Sequence, residues 1–322
     1  MDINDILSEM SGLEQLIFRL RALYGRAGYR QYQMSKFEEY DLYARNRDFL
    51  ASEQIISFTD TDGKLMALKP DVTLSIIKNL QDRPEELQRL YYDERVYRVS
   101  SGSGSFQELR QLGLECMGAV DDKALLEVLE LACGSLDEIG GKAVLELSQI
   151  DILRGIFDAM GLSFAQWDMI LPLIQSKNLH SLKKLLAEFA PDCGETSEFL
   201  QQLVAAPGSP EAVTALLKSA PEGLIDKAAV DQLEKLIGGL PEDYRKMIRI
   251  DFSLTGNSRY YNGIIFQGFI QGIPSRVLAG GQYDRMMKRM GKSSAACGFA
   301  LYLNLLERVI DTAGAACEGK EA

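Results

Sequence analysis

The stretch LRQLGLECMG at residues 109–118 is the part of the sequence on which the prediction of the fold and of the site depends. Successive side chains of a β-strand point to opposite faces, so Gln111, Gly113 and Glu115 would share one face and the apolar residues between them the other. A buried carboxylate needs a polar or cationic partner, which Arg98 on the preceding strand could supply, and the glycine would leave room for a ligand. The same spacing fits a solvated sheet face equally well, so both interpretations stay open.

The segments around this stretch predict a mixed fold. Short apolar runs bounded by turn residues predict strands, and apolar residues recurring at three and four positions predict helices. The predicted strands are 29–34, 55–60, 64–68, 91–99, 109–118, 143–149, 248–254, 260–270 and 275–279. The predicted helices outside the middle of the chain are 12–28, 71–80, 122–139 and 298–311. This order predicts an α+β fold, an antiparallel sheet flanked by helices.

The middle of the chain has a different pattern. From about residue 150 to residue 247 the apolar residues recur at helical spacing and strand signals are few. We therefore predict a discontinuous core of residues 1–150 and 248–312, a helical insertion at 151–247 and a tail at 313–322. Most of the acidic excess of the chain lies in the helical part.

Composition and charge exclude several classes of protein. The 322 residues include 35 Lys and Arg against 46 Asp and Glu, a net charge of −11, which argues against a nucleic-acid partner. No apolar run reaches the roughly 18 residues that a membrane span needs, and the acidic amino terminus is unlike a secretory signal. We therefore expect a cytoplasmic protein that contacts no membrane.

Histidine and cysteine are too few or too scattered for several kinds of site. His180 is the one histidine, so a His-dependent catalytic triad or a His-rich metal centre is not expected. The five cysteines form no CxxC pair, which is typical of reduced thiols without a disulfide framework or a zinc site. The sequence thus predicts no metal.

Two later segments place tyrosines beside glycines. RYYNG at 259–263 and AGGQYD at 279–284 fit a small pocket with directional hydrogen bonds, although paired glycines followed by tyrosine more often form a bend. The serine and glycine loop at 100–105 contains no basic residue and matches neither a Walker A motif nor a GxGxxG context, so it is not interpreted as a phosphate-binding loop.

Five segments in this order resemble the class II catalytic core of histidyl-tRNA synthetase, over about residues 12–308. They are ALKPDVT at 67–73, VYRVSSGSGSFQELRQLGLECMG at 96–118 (motif 2), RYYNGIIFQG at 259–268, AGGQYD at 279–284 and AACGFALYLNLLERV at 295–309 (motif 3). The resemblance implies eight histidine-contacting positions: Asp71, Thr73, Arg98, Gln111, Glu115, Tyr260, Tyr261 and Tyr283. Asp71 is a glutamate in the synthetases and would reach about one methylene less far.

The positions that the resemblance assigns to ATP are not retained. Ser100, Ser105, Leu305 and Gly256 stand where the synthetases carry a glutamate and three arginines. Adenylate formation needs cations that hold the triphosphate and stabilise the transferred charge, so amino-acid activation is not expected. The chain also stops near motif 3, where the synthetases continue into an anticodon-binding domain, so tRNA binding is not expected either.

A synthetase-like core with a histidine pocket but without the ATP and tRNA features resembles the regulatory subunit of ATP phosphoribosyltransferase. That family implies a cytoplasmic partner of the short-form catalytic subunit in a hetero-octamer, with a homodimer formed through the synthetase-like core. It also implies a role in the first step of histidine biosynthesis, feedback sensing of L-histidine and no cofactor. Two alternatives stay open: a minimal synthetase-like enzyme that activates an amino acid, and a dimeric scaffold with a relic pocket.

Overall fold

The computed structural model of the chain describes residues 9–50, 54–100, 102–206, 208–256, 261–307 and 310. The helices are α1 (Gly12–Arg26), α2 (Tyr40–Ala44), α3 (Thr73–Asn79), α4 (Asp122–Ile139), α5 (Ile150–Ala159), α6 (Phe164–Gln175), α7 (Leu179–Phe189), α8 (Gly194–Ala205), α9 (Pro210–Lys218), α10 (Lys227–Gly239), α11 (Glu242–Met247) and α12 (Asp284–Arg289). The strands are β1 (Arg30–Gln31), β2 (Phe37–Glu39), β3 (Ser57–Thr59), β4 (Leu65–Leu68), β5 (Gln88–Val99), β6 (Phe106–Gly118), β7 (Ala143–Gln149), β8 (Ile248–Ile250), β9 (Asn262–Ile270), β10 (Leu278–Gln282) and β11 (Ala295–Tyr302). The α+β prediction is confirmed.

A large mixed sheet organises the molecule. Its eight strands run in the order β1-β5-β6-β11-β10-β9-β7-β8, and a separate three-stranded sheet has the order β2-β4-β3. All the pairings between β5 and β7 are antiparallel, whereas β1 with β5 and β7 with β8 form a parallel pair at each edge. The predicted antiparallel character therefore holds for the centre of the sheet.

Side-chain alternation along β6 separates the two faces of the large sheet. Leu112, Leu114 and Cys116 are fully buried in a core that also contains the apolar residues of α1 and α4. Met117 belongs instead to a second cluster with residues of α3 and α12 on the opposite face. One face is thus covered by α1 and α4, and the other is only partly covered.

The two covering helices end where local sequence predicts. Ser11 caps α1 by accepting a hydrogen bond from the Glu14 amide at 3.3 Å, while the Glu14 carboxylate accepts one from the Ser11 amide at 2.9 Å. Helix α4 has the predicted bounds, with Asp121 accepting hydrogen bonds from two amides of its first turn. It ends at Gly140, whose φ of 86° suits glycine.

The middle of the chain is helical, as predicted, from α5 to α11. Its buried residues, among them Phe157, Trp167, Leu182 and Leu200, belong to the same continuous apolar cluster as the α1 and α4 face of the sheet. The division into a core at 1–150 and 248–312, an insertion at 151–247 and a tail at 313–322 stays a prediction, and the tail lies outside the described residues.

Two predictions about the last strands are wrong. The strand predicted at 275–279 is β10, which begins at Leu278 and includes both Gly280 and Gly281, so the paired glycines do not form a bend. The helix predicted from residue 298 begins only at residue 303, because residues 295–302 form β11 between β6 and β10. An apolar run that is buried on both faces shows no period that would separate strand from helix.

Close packing explains the glycine within β10. A Cβ atom at Gly280 would lie 2.5 Å from Phe299 Cβ and 2.7 Å from Phe266 Cζ on the two neighbouring strands. Contacts this short require the surrounding side chains or strands to move.

We expect Gly280→Ala to lower the free energy of unfolding by about 1–3 kcal/mol, the usual cost of overpacking a core. The control is Gly25→Ala in α1, where an added Cβ meets nothing within 4 Å, and which should raise stability by up to about 1 kcal/mol through helix propensity. Urea unfolding of both variants provides the measurement. Equal stability of the two variants would contradict this account of β10.

Candidate functional site

A cavity of about 790 Å³ opens over the partly covered face of the large sheet. Its floor comes from alternate residues of neighbouring strands, with Gln111 opposite Tyr302 and Glu115 opposite Gly298 in the β6 and β11 pairing. The small residues Ala279, Gly280, Gly298 and Ala300 on β10 and β11 also line the cavity, and their short side chains leave space above the sheet. The volume falls within the range of about 300–1,000 Å³ typical of small-molecule sites.

The structure brings seven of the eight sequence-predicted site residues together around this cavity. They are Asp71, Thr73, Arg98, Gln111, Glu115, Tyr261 and Tyr283. Tyr260 lies outside the described residues. Gln111 and Glu115 are only 4% and 2% exposed, so the alternative of a solvated sheet face is wrong.

The Glu115 carboxyl group is held at both oxygens by hydroxyl donors. Thr73 Oγ1, at the start of α3, donates a hydrogen bond to Oε1 at 2.7 Å. Tyr283 OH, just after β10, donates to Oε2. Burial raises the pKa of Glu115 to about 8, and the two hydroxyl donors oppose part of that rise. Glycine at position 298 is required because a Cβ there would overlap Glu115 Oε2.

Asp71 and Arg98 face the same cavity from the segment before α3 and from the end of β5. Asp71 Oδ1 accepts a hydrogen bond from the Leu74 amide at 2.8 Å. Burial raises the pKa of Asp71, and the Leu74 amide and the Arg98 guanidinium oppose the rise. Arg98 donates from Nε to the Pro70 carbonyl at 3.0 Å, which holds the guanidinium group beside the cavity. The predicted cation is therefore on the expected face.

The sequence analysis missed several residues that line the cavity. Tyr92 lies six residues before Arg98 on β5 and therefore on the same face, so extending the alternation along β5 would have found it. Glu146 on β7, Gln267 on β9 and Arg276 before β10 carry no local signal, since only the strand order places β9 beside β10 and β7 beside β9.

The expectation that Gly113 leaves room for a ligand needs correction. A Cβ atom at this glycine would lie 2.5 Å from Tyr92 OH and 2.6 Å from Tyr92 Cζ. The space above Gly113 is therefore taken by a tyrosine of the chain itself, because Tyr92 is directly opposite Gly113 in the β5 and β6 pairing.

Acidic groups outnumber basic groups in the described lining of the cavity. Asp71, Glu115 and Glu146 stand against Arg98 and Arg276. Leu305 and Gly256, at two positions where the synthetases carry arginine, also line it. A triphosphate would find few cations here, whereas an ammonium group or a protonated ring would find carboxyl groups.

Other kinds of site find no support within the described parts of the chain. No group of three or more His, Cys, Asp or Glu side chains among those residues is arranged to hold a metal ion. No described helix is both long enough and apolar enough to cross a membrane.

Comparison with known families agrees with this architecture. The sequence profile of the family described as histidyl-tRNA synthetase matches residues 3–306. The chain belongs to the histidyl-tRNA synthetase family. Two similar relatives are named ATP phosphoribosyltransferase regulatory subunit. The one from Alkaliphilus metalliredigens is 27% identical over 298 residues, covering 91% of this chain and 75% of the relative. The one from Acetivibrio thermocellus is 26% identical over 317 residues, covering 96% and 75%.

Solved structures of the family share the fold. An ATP phosphoribosyltransferase regulatory subunit/histidyl-tRNA synthetase from Bacillus halodurans superposes with a TM-score of 0.77 at 22% identity, over 93% of this chain and 79% of that one. An ATP phosphoribosyl transferase (HisG:HisZ) complex from Thermotoga maritima gives 0.70 at 20% identity, over 90% and 96%. The mixed sheet with flanking helices is therefore a histidyl-tRNA synthetase-like class II core.

The raised pKa of Glu115 predicts how stability depends on pH. The usual pKa of a glutamate is 4.5, and that of folded Glu115 is about 8. At a pH between these two values, Glu115 keeps its proton in the folded chain and loses it in the unfolded chain. The free energy of unfolding should therefore fall as pH rises through this window, by at most about 1.4 kcal/mol per pH unit for one proton. Glu115→Gln should make this slope shallower, leaving the part that the raised pKa of Asp71 contributes, whereas Glu86→Gln on an exposed loop should keep the full slope. Urea unfolding from pH 5 to pH 9 measures it, and equal slopes in all three proteins would contradict the prediction.

Proposed function

We propose that the chain is a non-catalytic regulatory subunit of ATP phosphoribosyltransferase that senses free L-histidine. The proposal rests on one observation: the cavity has a buried carboxyl group, that of Glu115, in its floor, and its described lining contains only two basic side chains. Glu115, Asp71 and Arg98 supply groups that a free amino acid needs, whereas Ser100, Ser105 and Leu305 replace groups that would hold ATP. The names of the relatives support the same function.

The groups around the cavity fit the three polar parts of histidine. The guanidinium of Arg98 suits the α-carboxylate, since Arg98 lines the cavity and a guanidinium group can donate two parallel hydrogen bonds to a carboxylate. Asp71, Thr73 and Gln111 suit the α-amino group, and Glu115 with a tyrosine hydroxyl suits the imidazole nitrogens. Tyr260, Tyr261 and Tyr283 complete the proposed histidine site.

The proposed function places catalysis in a partner. The Thermotoga maritima structure contains a phosphoribosyl transferase with its HisZ component, and this chain shares the fold of that assembly's matching subunit. We propose that the chain forms a homodimer through the synthetase-like core and joins the short-form catalytic subunit in a cytoplasmic hetero-octamer. Histidine would then act on the partner by binding one assembly state better than another.

The alternative is a minimal synthetase-like enzyme, which the family membership favours. Activation of histidine would require the cavity to hold ATP, but its described lining contains two arginines and three carboxyl groups. Histidine-dependent exchange of pyrophosphate into ATP above a heat-treated control would favour this enzyme and contradict the regulatory function.

We expect Glu115→Gln to weaken histidine binding by roughly ten- to a hundredfold. A protonated imidazole would favour the ionised form of Glu115, which glutamine cannot adopt, and losing a charged hydrogen-bond partner costs about 1.5–3 kcal/mol. Titration calorimetry of the full chain measures it. The control is Glu127→Gln. Glu127 lies on α4, away from the cavity, and its Oε1 accepts a hydrogen bond from Arg89 Nε at 2.8 Å. An unchanged dissociation constant in Glu115→Gln would contradict the assignment, and absent binding in the unsubstituted chain would favour the relic scaffold.

Feedback is tested by mixing the chain with a short-form catalytic subunit and titrating histidine against phosphoribosyltransferase activity. The assembly with the unsubstituted chain should be inhibited, and the Glu115→Gln assembly should need at least several-fold more histidine, in line with a coupling of about 1–3 kcal/mol. If both assemblies respond at the same histidine concentration, the sensor lies outside this cavity.

A further inference from the structure

A second cavity, of about 320 Å³, lies between α1, β5 and β6 and shares no lining residue with the central cavity. Asp93 and Arg95 alternate along β5 with Tyr92, which lines the central cavity, so they lie on the opposite face of that strand. The lining of the second cavity, which we call the basic cavity, consists of Arg21, Lys36, Asp93, Glu94, Arg95 and Arg110.

Positive charge dominates the basic cavity, although the whole chain carries a net charge of −11. Four of its lining residues are basic and two are acidic. One of the two carboxylates is already neutralised from outside the lining, because the buried Lys69 donates from Nζ to Glu94 Oε2 at 2.8 Å. A cavity lined mostly by one sign of charge concentrates ions of the opposite sign.

The remaining carboxylate, that of Asp93, holds two of the arginines in place. Its side chain is 3% exposed. It accepts hydrogen bonds at 2.8 Å from both Nε and Nη2 of Arg110, and a third at 2.5 Å from Arg21 Nη2. This arrangement leaves Nη1 of Arg110 as a donor and fixes both guanidinium groups before any ligand arrives.

The strand register adds a third guanidinium group to the same place. Arg95 lies directly opposite Arg110 in the β5 and β6 pairing, and like charges in directly opposite positions destabilise a sheet. Glu108 Oε1 accepts a hydrogen bond from Arg95 Nη1 at 2.5 Å, but both partners are about half exposed. An anion in the basic cavity would reduce the repulsion between the two arginines.

Two donors of the lining are not engaged by the described chain. Arg21 Nε is buried and forms no hydrogen bond with any described residue. Lys36 is exposed, and its ammonium group forms no ion pair with the described residues. Buried donors are rarely left without an acceptor, so an N–H group beside a cavity is placed to donate to what enters it.

We propose that the basic cavity is a binding site for a small oxyanion of the phosphate class, which Arg21, Lys36 and Arg110 hold. Fixed guanidinium forks match the oxygens of a phosphate, and the excess of positive charge favours an anion with more than one negative charge over a simple carboxylate. This site is separate from the proposed histidine site and stands or falls independently of it.

Titration calorimetry of the full chain with sodium pyrophosphate, at constant ionic strength and without a divalent metal, tests the proposal. Saturable binding is expected, with acetate at least about tenfold weaker, since it carries a single charge. Lys36→Gln should weaken pyrophosphate binding several-fold. Arg21→Lys keeps the charge beside Asp93 but removes the Nε donor, so it should weaken binding by about tenfold.

The matched control is Lys184→Gln, which removes one positive charge from an exposed position on α7 and should leave the affinity unchanged. Methyl phosphate is titrated beside pyrophosphate. Tighter binding of methyl phosphate would identify the ligand as a phosphate ester, tighter binding of pyrophosphate would identify it as a free polyphosphate, and both results support the site.

Three results overturn the proposal. The first is no saturable binding of either phosphate compound to the unsubstituted chain. The second is an equal effect of Lys36→Gln and Lys184→Gln, since the anion would then respond only to the total charge of the chain. The third is acetate binding as tightly as pyrophosphate. A thermal scan of Arg21→Lys shows whether that variant is folded, and if it is not, Lys36→Gln alone decides.

Discussion

The burial of the Glu115 carboxyl group in the centre of a β-sheet is the constraint on which the rest of the site depends. A carboxyl group in such a place must be hydrogen-bonded or neutral, and here two hydroxyl donors meet its oxygens and burial raises its pKa to about 8. The donors come from the start of α3 and from the end of β10, so both elements must dock on β6 before the floor is complete. The neighbouring strand must also carry glycine at position 298.

The same sheet separates packing from ligand binding. Leu112, Leu114 and Cys116 of β6 pack against α1 and α4, whereas Gln111 and Glu115, on the opposite face of the same strand, line the cavity. Because the two sets alternate along one strand, the apolar face holds the polar face at a fixed position, and a rigid floor loses little entropy when a ligand binds. The helical segment extends the apolar cluster, so it adds support to the face opposite the cavity.

Local periodicity predicted elements whose two faces differ. Helices α1 and α4 and the central hairpin follow from apolar spacing and turn residues, and the polar face of β6 follows from alternation. The start of β10 and the strand character of β11 did not follow from periodicity, since both strands are buried on both faces. Their glycines are required because a Cβ atom would clash with residues on the neighbouring strands, and they do not mark a turn. The class of ligand followed from a resemblance over five ordered segments, because spacing alone left a solvated face possible.

The sequence by itself determined the α+β class, the helical middle, the polar positions of β6 and seven residues that meet at one cavity. Only the tertiary structure decided that Glu115 is bonded by Thr73 and Tyr283, that Tyr92 fills the space above Gly113 and that Glu146, Gln267 and Arg276 reach the same cavity. The physical reason is that side-chain alternation is a property of one strand and can be read locally. Strand order and cross-strand register join residues more than a hundred positions apart, and they exist only once the sheet has formed.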